Sequence, residues 1–210
     1  MYLKKKIRKL LRYKINNNNR KKLKKKEVSI ISSNCIGGVI SHELGLQFKS
    51  PTVNIYMKAH DYIKFCYNLE RYLKEELSFI GVDQDGHFMA FCGDIKIYAV
   101  HYKNFEEFSE KWYERSKRVD FNNLYFIMSE RDGCNMDDII AFDNLPYNNK
   151  VIFTKEDMPD IKSAVHIPNT KQGKHHVVPM TSYLGTFTGR RYVDLFDYVE
   201  FLNTGKLKLK

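Results

Sequence analysis

The stretch that decides the fold is Val28-Ser29-Ile30-Ile31-Ser32-Ser33-Asn34-Cys35-Ile36-Gly37-Gly38. Its apolar, β-branched start predicts a strand over residues 28–32, and its small polar and glycine residues predict a tight loop that opens a short helix. In open α/β sheets the loop after the carboxyl end of a strand borders the ligand crevice. We therefore predict a binding site at this loop, formed by Ser33, Asn34, Gly37 and Gly38.

Two kinds of chemistry fit this loop. Cys35 can act as a catalytic nucleophile, because the N-terminus of the following helix favours a thiolate. Alternatively, Asn34 and the backbone of Gly37 and Gly38 can hold a phosphate or a carboxylate. A small residue buried in a tight turn accounts for the same sequence without a ligand, so the residues alone leave all three interpretations open.

A second loop of the same character follows the apolar run Leu124–Met128, which predicts a buried strand. The loop reads Ser129-Glu130-Arg131-Asp132-Gly133-Cys134. Arg131 can pair bidentately with a phosphate or carboxylate, and Gly133 indicates a turn with positive φ. Asp132 can orient Arg131, cap the next helix, or act as a base or metal ligand. We predict Arg131 and Gly133 as ligand-binding residues and Asp132 as catalytic, against the alternative of a capped loop with an internal Arg–Asp pair.

Two further strands, over residues 88–92 and 95–102, flank Gly93-Asp94 and predict an antiparallel pair. His101 ends the second strand and is a candidate acid or base, and Asp94 is a candidate ligand contact. A structural histidine and a tight turn are the alternatives. Strands interleaved with helical segments predict an α/β fold. We expect a layered α/β sandwich with a mainly parallel sheet, one antiparallel strand pair near residues 88–102 and a basic N-terminal helical tail.

The charge of the chain is concentrated at its N-terminus. Residues 1–26 contain thirteen Lys or Arg and no acid, whereas the formal net charge of the whole chain is +10. Leu3, Ile7, Leu10, Leu11 and Ile15 follow a helical spacing, with basic residues between them. We predict that residues 1–26 form a basic amphipathic tail on an anionic membrane surface and that residues 27–210 form a single α/β domain. A solvated tail, or a helix that docks on its own domain, remains an alternative.

Several classes of protein are disfavoured. The remainder of the chain has no basic face or recognisable module for nucleic acid, so we expect no nucleic-acid partner. The cysteines at 35, 66, 92 and 134 lack C-x-x-C spacing, and Asp83-Gln84-Asp85 precedes Gly86-His87 in a pattern that favours a hairpin turn over a metal site. We assign no metal-ligating residues, and the sequence does not identify a cofactor. The absence of a secretory signal or a long apolar run predicts a cytoplasmic protein, peripheral on the inner membrane leaflet if the tail binds lipid.

Several separated motifs resemble one bacterial family. The runs SSNCIGG, GLQFKSPTVNIYM, GDIKIYAVHYKNFEEFSEKWYERSKRV and SERDGC occur in the order typical of domain of unknown function 1919. The resemblance extends from about Glu27 to Pro168. Members of that family are often labelled exopolysaccharide or capsular polysaccharide biosynthesis proteins, so the resemblance implies a role in surface-glycan assembly.

The sequence and the resemblance together favour a transferase-like protein that binds a phosphorylated or nucleotide-activated sugar donor. In this hypothesis Arg131 and the backbone of Gly37 and Gly38 hold the anion, and Asp132 or His101 accepts the proton of an attacking hydroxyl. One alternative is a non-catalytic accessory protein that binds a glycan precursor or recruits enzymes at the membrane. Another is an acyl transferase or hydrolase that depends on Cys35.

Overall fold

Two four-stranded sheets form the body of the protein. The computed structural model describes residues 2–173 and 176–210; Met1, where the predicted basic tail begins, Lys174 and His175 lie outside the described residues. The parallel sheet has the order β1-β6-β7-β8, with strands Ser29–Ser32, Leu124–Ser129, Lys150–Thr154 and Ala164–His166. The antiparallel sheet has the order β2-β5-β4-β3, with strands Ile55–Met57, Ile95–Ala99, Phe88–Cys92 and Leu77–Val82.

Helices and short segments connect and cover the two sheets. A two-stranded ribbon, β9 and β10, consists of Lys171–Gln172 and His176–Val177, and a 3₁₀ turn spans Tyr192–Leu195. The helices α1 to α7 are Tyr2–Lys22, Ile36–Leu44, Ala59–Tyr67, Leu69–Tyr72, Phe105–Ser116, Met136–Asp143 and Tyr198–Thr204.

The parallel sheet is buried on both faces, which explains why its strands are continuous apolar runs. Successive side chains of β6 alternate between two cores. Phe126 and Met128 pack in a core shared with α3, α5, α6 and the second sheet. Tyr125 and Ile127 pack in a core shared with α2 and α7. The layered α/β sandwich expected from the sequence is therefore confirmed.

The predicted antiparallel pair is β4 with β5, and it belongs to a sheet of its own. The apolar spacing of residues 59–77 predicts a single long helix, but the helical segment ends at Tyr72 and Leu77–Val82 forms the edge strand β3. Backbone pairing of β3 with β4 accounts for the difference, because it satisfies peptide groups in a segment rich in β-formers. A bulge between Phe79 and Gly81 bends this edge strand.

Helix α1 runs without a break through Asn16–Asn19, where the sequence suggests an interruption. Asparagine is a poor helix former, so tertiary contacts offset its low propensity here. The buried Asn19 side chain donates a hydrogen bond to the Tyr198 hydroxyl at 2.7 Å. Arg12, also buried, forms ion pairs with Glu43 and Asp194. The basic segment is thus a helix packed on the body through polar side chains. Among the described residues, no helix combines the length and the apolar character required to traverse a lipid bilayer.

Gly37 allows helix α2 to pack closely on strand β1. A Cβ atom at this position would lie 2.6 Å from the Ser32 Oγ and 2.9 Å from the Ile30 Cγ2. We expect Gly37→Ala to lower the free energy of unfolding by about 1–3 kcal/mol, because an overpacked core must shift. Gly185→Ala is the matched control, since its Cβ would meet its nearest atom at 3.9 Å. Equal unfolding midpoints in urea for the two variants would contradict this account of Gly37.

Candidate functional site

A cavity of about 190 Å³ opens at the carboxyl ends of β1 and β6. The two strands are adjacent and parallel, with Ser32 paired to Ile127, so the loops that follow them lie side by side. The antiparallel sheet and a loop after β10 complete the walls. The lining residues are Asn34, Cys35, Ile36, Tyr56, Val100, Arg131, Asp132, Pro179, Met180 and Thr181.

Asn34 joins the two strand-end loops. Its side-chain Nδ2 donates to the Ser129 Oγ at 2.9 Å, and its Oδ1 accepts from the backbone N–H of Ile36 at 3.3 Å. The same side chain also hydrogen-bonds the carboxylate of Asp132. This network fixes the relative position of the first loop and the second loop, which meet at the cavity as the sequence hypothesis requires.

Asp132 is held in an unusual backbone conformation. Its φ is 57°, in the left-handed region, and its carbonyl accepts from the Ala59 N–H at 3.1 Å. Aspartate tolerates this region better than most residues, and such outliers concentrate at functional sites. Burial raises the pKa of the Asp132 carboxyl, partly offset by the charge of Arg131 and the hydrogen bond from Asn34. A carboxyl group with a raised pKa is suited to exchange protons closer to neutral pH.

Arg131 is positioned at the cavity wall by the ribbon that follows β8. Its Nη1 donates to the Val177 carbonyl and to the Gln172 Oε1, the latter at 3.3 Å. These contacts hold the guanidinium in one place beside Asp132. A preorganised guanidinium offers a fixed pair of donors to a phosphate or carboxylate.

Cys35 lies at the N-cap of α2 and lines the cavity. Burial raises the pKa of the Cys35 thiol, and the neighbouring Asp132 carboxylate raises it further. The expectation that the helix N-terminus favours a thiolate is therefore corrected. The low-dielectric surroundings and the nearby negative charge outweigh the helix dipole.

We expect Cys35 to react with iodoacetamide at pH 7 more slowly than free glutathione does. The raised pKa leaves only a small thiolate fraction, and the thiolate is the reactive form. Labelling of the native protein, followed by mass spectrometry of the peptide that contains Cys35, measures the rate. The Cys35→Ser variant controls for reaction at the other thiols. Labelling faster than that of glutathione would restore the nucleophile hypothesis.

Four other predicted residues surround the cavity without lining it. Gly37 and Gly38 are buried in α2, where Gly38 packs near Val53 and the Gly37 N–H donates to the Ser32 Oγ at 3.1 Å. The Gly37 N–H is thus already bonded within the protein, which corrects its expected role as an anion ligand. Ser33 is buried behind the cavity, and among the described residues its Oγ has no hydrogen-bond partner. Gly133 is exposed, with φ of 84°, and supports the turn next to Asp132.

The structure does not bring His101 and Asp94 to the cavity. His101 is exposed beyond β5, and the preceding Val100 lines the cavity in its place. Asp94 lies in the turn before β5, at the other end of that strand. Its carboxylate accepts from the Tyr72 hydroxyl at 2.7 Å and pairs with Lys64 at 2.6 Å. Both residues are therefore removed from the candidate site.

Two parts of the cavity wall were not anticipated from the sequence. Tyr56 on β2 stacks on Tyr98 of β5, with ring centroids 4.4 Å apart, and presents its ring beside Asp132. The pair becomes visible only once the register between β2 and β5 is known. The segment Pro179–Thr181 closes the cavity from the C-terminal third of the chain.

The Asp83, Asp85 and His87 side chains place potential ligand atoms within 4.8 Å of one another. Their internal hydrogen bonds match the hairpin turn favoured by the sequence. Oδ1 of Asp83 accepts from the backbone N–H groups of Asp85 and His87, both at 2.9 Å. Its Oδ2 lies 3.0 Å from the His87 Nδ1. Both carboxylate oxygens of Asp83 thus serve the turn between β3 and β4.

Comparison with known proteins places the chain in a family. The model of the family described as "Domain of unknown function (DUF1919)" matches residues 6–203. A protein of Haemophilus influenzae strain Rd, described as "Uncharacterized protein", is 35% identical over 197 residues, covering 94% of each chain. The match extends well beyond residues 27–168, where the sequence motifs indicated a resemblance, and includes most of α1. On these findings, the chain belongs to the family of domain of unknown function 1919.

Proposed function

We propose that the protein acts in the assembly of a surface exo- or capsular polysaccharide, as a transferase-like protein that binds a phosphorylated or nucleotide-activated sugar donor. The observation that carries the proposal is that Asn34, Arg131 and Asp132 line one cavity at the ends of two adjacent parallel strands. Ligands of α/β proteins bind at that edge of the sheet. The glycan context comes from the family resemblance of the sequence motifs.

Arg131 and Asp132 have different roles in the proposed reaction. Arg131 neutralises the phosphate next to the sugar, and its bonds to the ribbon preorganise it for that role. The acceptor hydroxyl oxygen forms a bond to the anomeric carbon while the bond from that carbon to the phosphate oxygen breaks. Asp132 takes the hydroxyl proton, and the phosphate leaves with the electron pair. The raised pKa of Asp132 makes its carboxylate a stronger base than an exposed aspartate.

The size of the cavity limits what it encloses. Its volume of about 190 Å³ is below the roughly 300–1,000 Å³ typical of pockets that enclose a drug-sized ligand. The cavity therefore suits the sugar or the adjoining phosphate, with the rest of the donor outside. Tyr56 supplies an aromatic wall against which a sugar ring can pack.

A ligand screen by thermal shift tests this proposal directly. Nucleotide sugars and sugar 1-phosphates are added to the full-length protein, and a binder present at a hundred times its Kd stabilises the native state by about 2.7 kcal/mol. We expect at least one activated sugar to raise the Tm and Arg131→Ala to reduce that rise. Absence of a shift with every donor at millimolar concentration would contradict the proposal.

Helix α1 supports a location at an anionic membrane surface. It packs on the body through Arg12 and Asn19 and leaves Ile7, Leu10 and Leu11 exposed, with Leu10 65% exposed. These three apolar residues share one face of the helix, on a segment rich in lysine. An exposed apolar stripe flanked by basic residues is typical of helices that lie in the interface of anionic bilayers. We therefore propose that the protein is cytoplasmic and binds peripherally to the inner leaflet of the membrane.

We expect Ile7→Gln combined with Leu10→Gln to weaken binding to phosphatidylglycerol vesicles by about tenfold or more, because each apolar side chain loses its transfer to the bilayer. Co-sedimentation with vesicles measures the partition coefficient. Ile140→Gln is the matched control, since Ile140 is an exposed apolar residue of α6. Equal partition of the double variant and the wild type would exclude the stripe as a membrane contact.

The exposed stripe also favours the alternative of a non-catalytic accessory protein that recruits enzymes or glycan precursor at the membrane. The two functions predict opposite rankings of variants in a glycan production assay. An accessory protein loses more function from the Ile7 and Leu10 double variant than from Asp132→Asn, and a transferase shows the reverse. A Cys35-dependent acyl transferase is the least supported function, because burial and Asp132 raise the pKa of its thiol.

A further inference from the structure

A second cleft lies between α1, the end of α2 and the loop over residues 183–191. We refer to this space, about 580 Å³ in volume, as the α1 cleft. Among the described residues, none lines both this cleft and the strand-end cavity. Its volume lies within the roughly 300–1,000 Å³ typical of ligand sites.

The α1 cleft has a surplus of positive charge. Five cationic side chains line it: Lys5, Arg8, Lys9, Arg12 and Arg191. Two of them are compensated, because Arg12 pairs with Glu43 and Asp194, and Arg191 pairs with Glu43 at 3.0 Å. Within residues 2–173 and 176–210, no carboxylate forms an ion pair with Lys5, Arg8 or Lys9. Three neighbouring cations without counter-charges create a field that attracts an anion.

Two buried polar atoms of cleft-lining residues lack hydrogen-bond partners among the residues described. They are the Nε of Arg8, which is a donor, and the Oδ1 of Asn16, which is an acceptor. Both residues also line the cleft. A phosphate oxygen can therefore bind the guanidinium of Arg8, and a ligand hydroxyl can bind the side-chain amide of Asn16.

The cleft is also built rigidly around an aromatic ring. Two guanidinium groups lie over the Tyr183 ring, with Arg8 at 4.5 Å and Arg191 at 4.4 Å from its centroid. Arg8 further donates to the Thr186 carbonyl at 3.0 Å. Arg8 and Asn16 are two helical turns apart, about 12 Å along the axis. That distance is greater than the length of a phosphate ion and matches the length of a phosphate joined to a polyhydroxylated group.

We infer that the α1 cleft binds a phosphate ester that carries hydroxyl groups, with the phosphate at Lys5, Arg8 and Lys9 and a hydroxyl at Asn16. The inference goes beyond the proposed donor site and does not depend on it. A sugar phosphate in solution and a phosphatidylglycerol head group have this chemistry in common.

Titration of the full-length protein with glucose 1-phosphate, with inorganic phosphate as the comparison, tests the soluble source. We expect saturable binding of glucose 1-phosphate that exceeds that of inorganic phosphate. Arg8→Gln is expected to weaken it about tenfold, because it removes charge-assisted hydrogen bonds. Lys9→Gln is a second variant that leaves the Tyr183 stack intact, and Lys14→Gln on an exposed position of α1 is the matched control.

Vesicles test the lipid source. Phosphatidylglycerol and phosphatidylserine carry equal charge, but only the glycerol head group bears free hydroxyls. A preference for phosphatidylglycerol that Arg8→Gln and Lys9→Gln abolish and Lys14→Gln retains assigns the cleft to a lipid head group. Binding of glucose 1-phosphate with the same pattern of variants assigns it to a soluble ester.

The inference is overturned if neither probe binds saturably, or if Lys14→Gln weakens binding as much as Lys9→Gln, which would indicate diffuse charge. The Arg131→Ala variant separates the two sites, since it removes donor binding at the strand-end cavity and leaves binding in the α1 cleft unchanged.

Discussion

Arg131→Ala is expected to abolish glycan production in cells that depend on this protein, while the variant remains folded. The guanidinium lines the strand-end cavity beside Asp132, and among the lining residues that the structure describes no other supplies a positive charge to a donor phosphate. Loss of hydrogen bonds to a charged ligand group costs about 1.5–3 kcal/mol for each bond, so two bonds reduce donor binding by roughly a hundredfold or more. Glycan yield in a complementation assay, together with donor affinity, measures the effect.

Arg118→Ala is the matched control for this variant. Arg118 is likewise a partly buried arginine, and it forms a salt bridge with Glu114 on α5, but it does not line the cavity. The two variants should melt at similar temperatures and differ in donor binding. Normal glycan output from Arg131→Ala would contradict the proposed role of Arg131 in binding the donor phosphate.

Arg12→Ala is expected to destabilise the protein by about 3–5 kcal/mol, because removing the shared partner of two buried ion pairs leaves Asp194 without a cation among the described residues and Glu43 paired with Arg191 alone. Glu43 and Asp194 are 5% and 2% exposed, so solvent cannot replace the guanidinium. Arg12 also donates to the Gly189 carbonyl at 3.2 Å and thereby connects α1 to the loop over residues 183–191. Urea unfolding of the variant measures the loss.

Lys14→Ala provides the control on the same helix, since Lys14 is exposed. Its expected effect is within about 0.5 kcal/mol, as for most surface substitutions. Hydrogen exchange should also show faster exchange of the α1 amides in Arg12→Ala. A stability loss for Arg12→Ala no greater than for Lys14→Ala would mean that α1 contributes little to the folded state.

The sequence predicted the parallel sheet well because its strands are buried on both faces. A strand such as Leu124–Ser129 reads as a continuous apolar run, which few other environments tolerate. The strand over residues 77–82 was harder to predict, because it lies at a sheet edge and depends on pairing with β4. The helix through Asn16–Asn19 was also not predicted, since the local propensity of asparagine opposes it. Contacts with Tyr198 and the rest of the body maintain this helix.

Local patterns located the two loops of the candidate site but not the surfaces that close it. Asn34 and Arg131 follow strands directly, and adjacent parallel strands bring such loops together. Tyr56 comes from a different sheet, so only the tertiary arrangement reveals it. Asp94 and His101 lie at opposite ends of β5. A strand extends by about 3.4 Å per residue, so the two residues could not face one small site.

The role of the strand-end cavity can be tested by recording amide chemical shifts of the ¹⁵N-labelled protein during addition of the nucleotide sugar selected by thermal shift. The largest, saturable changes are expected at Asn34, Cys35, Arg131 and Asp132, with small changes in the turn at Asp94. Changes that avoid both strand-end loops while the donor is bound would contradict the claim that this cavity is where the donor binds.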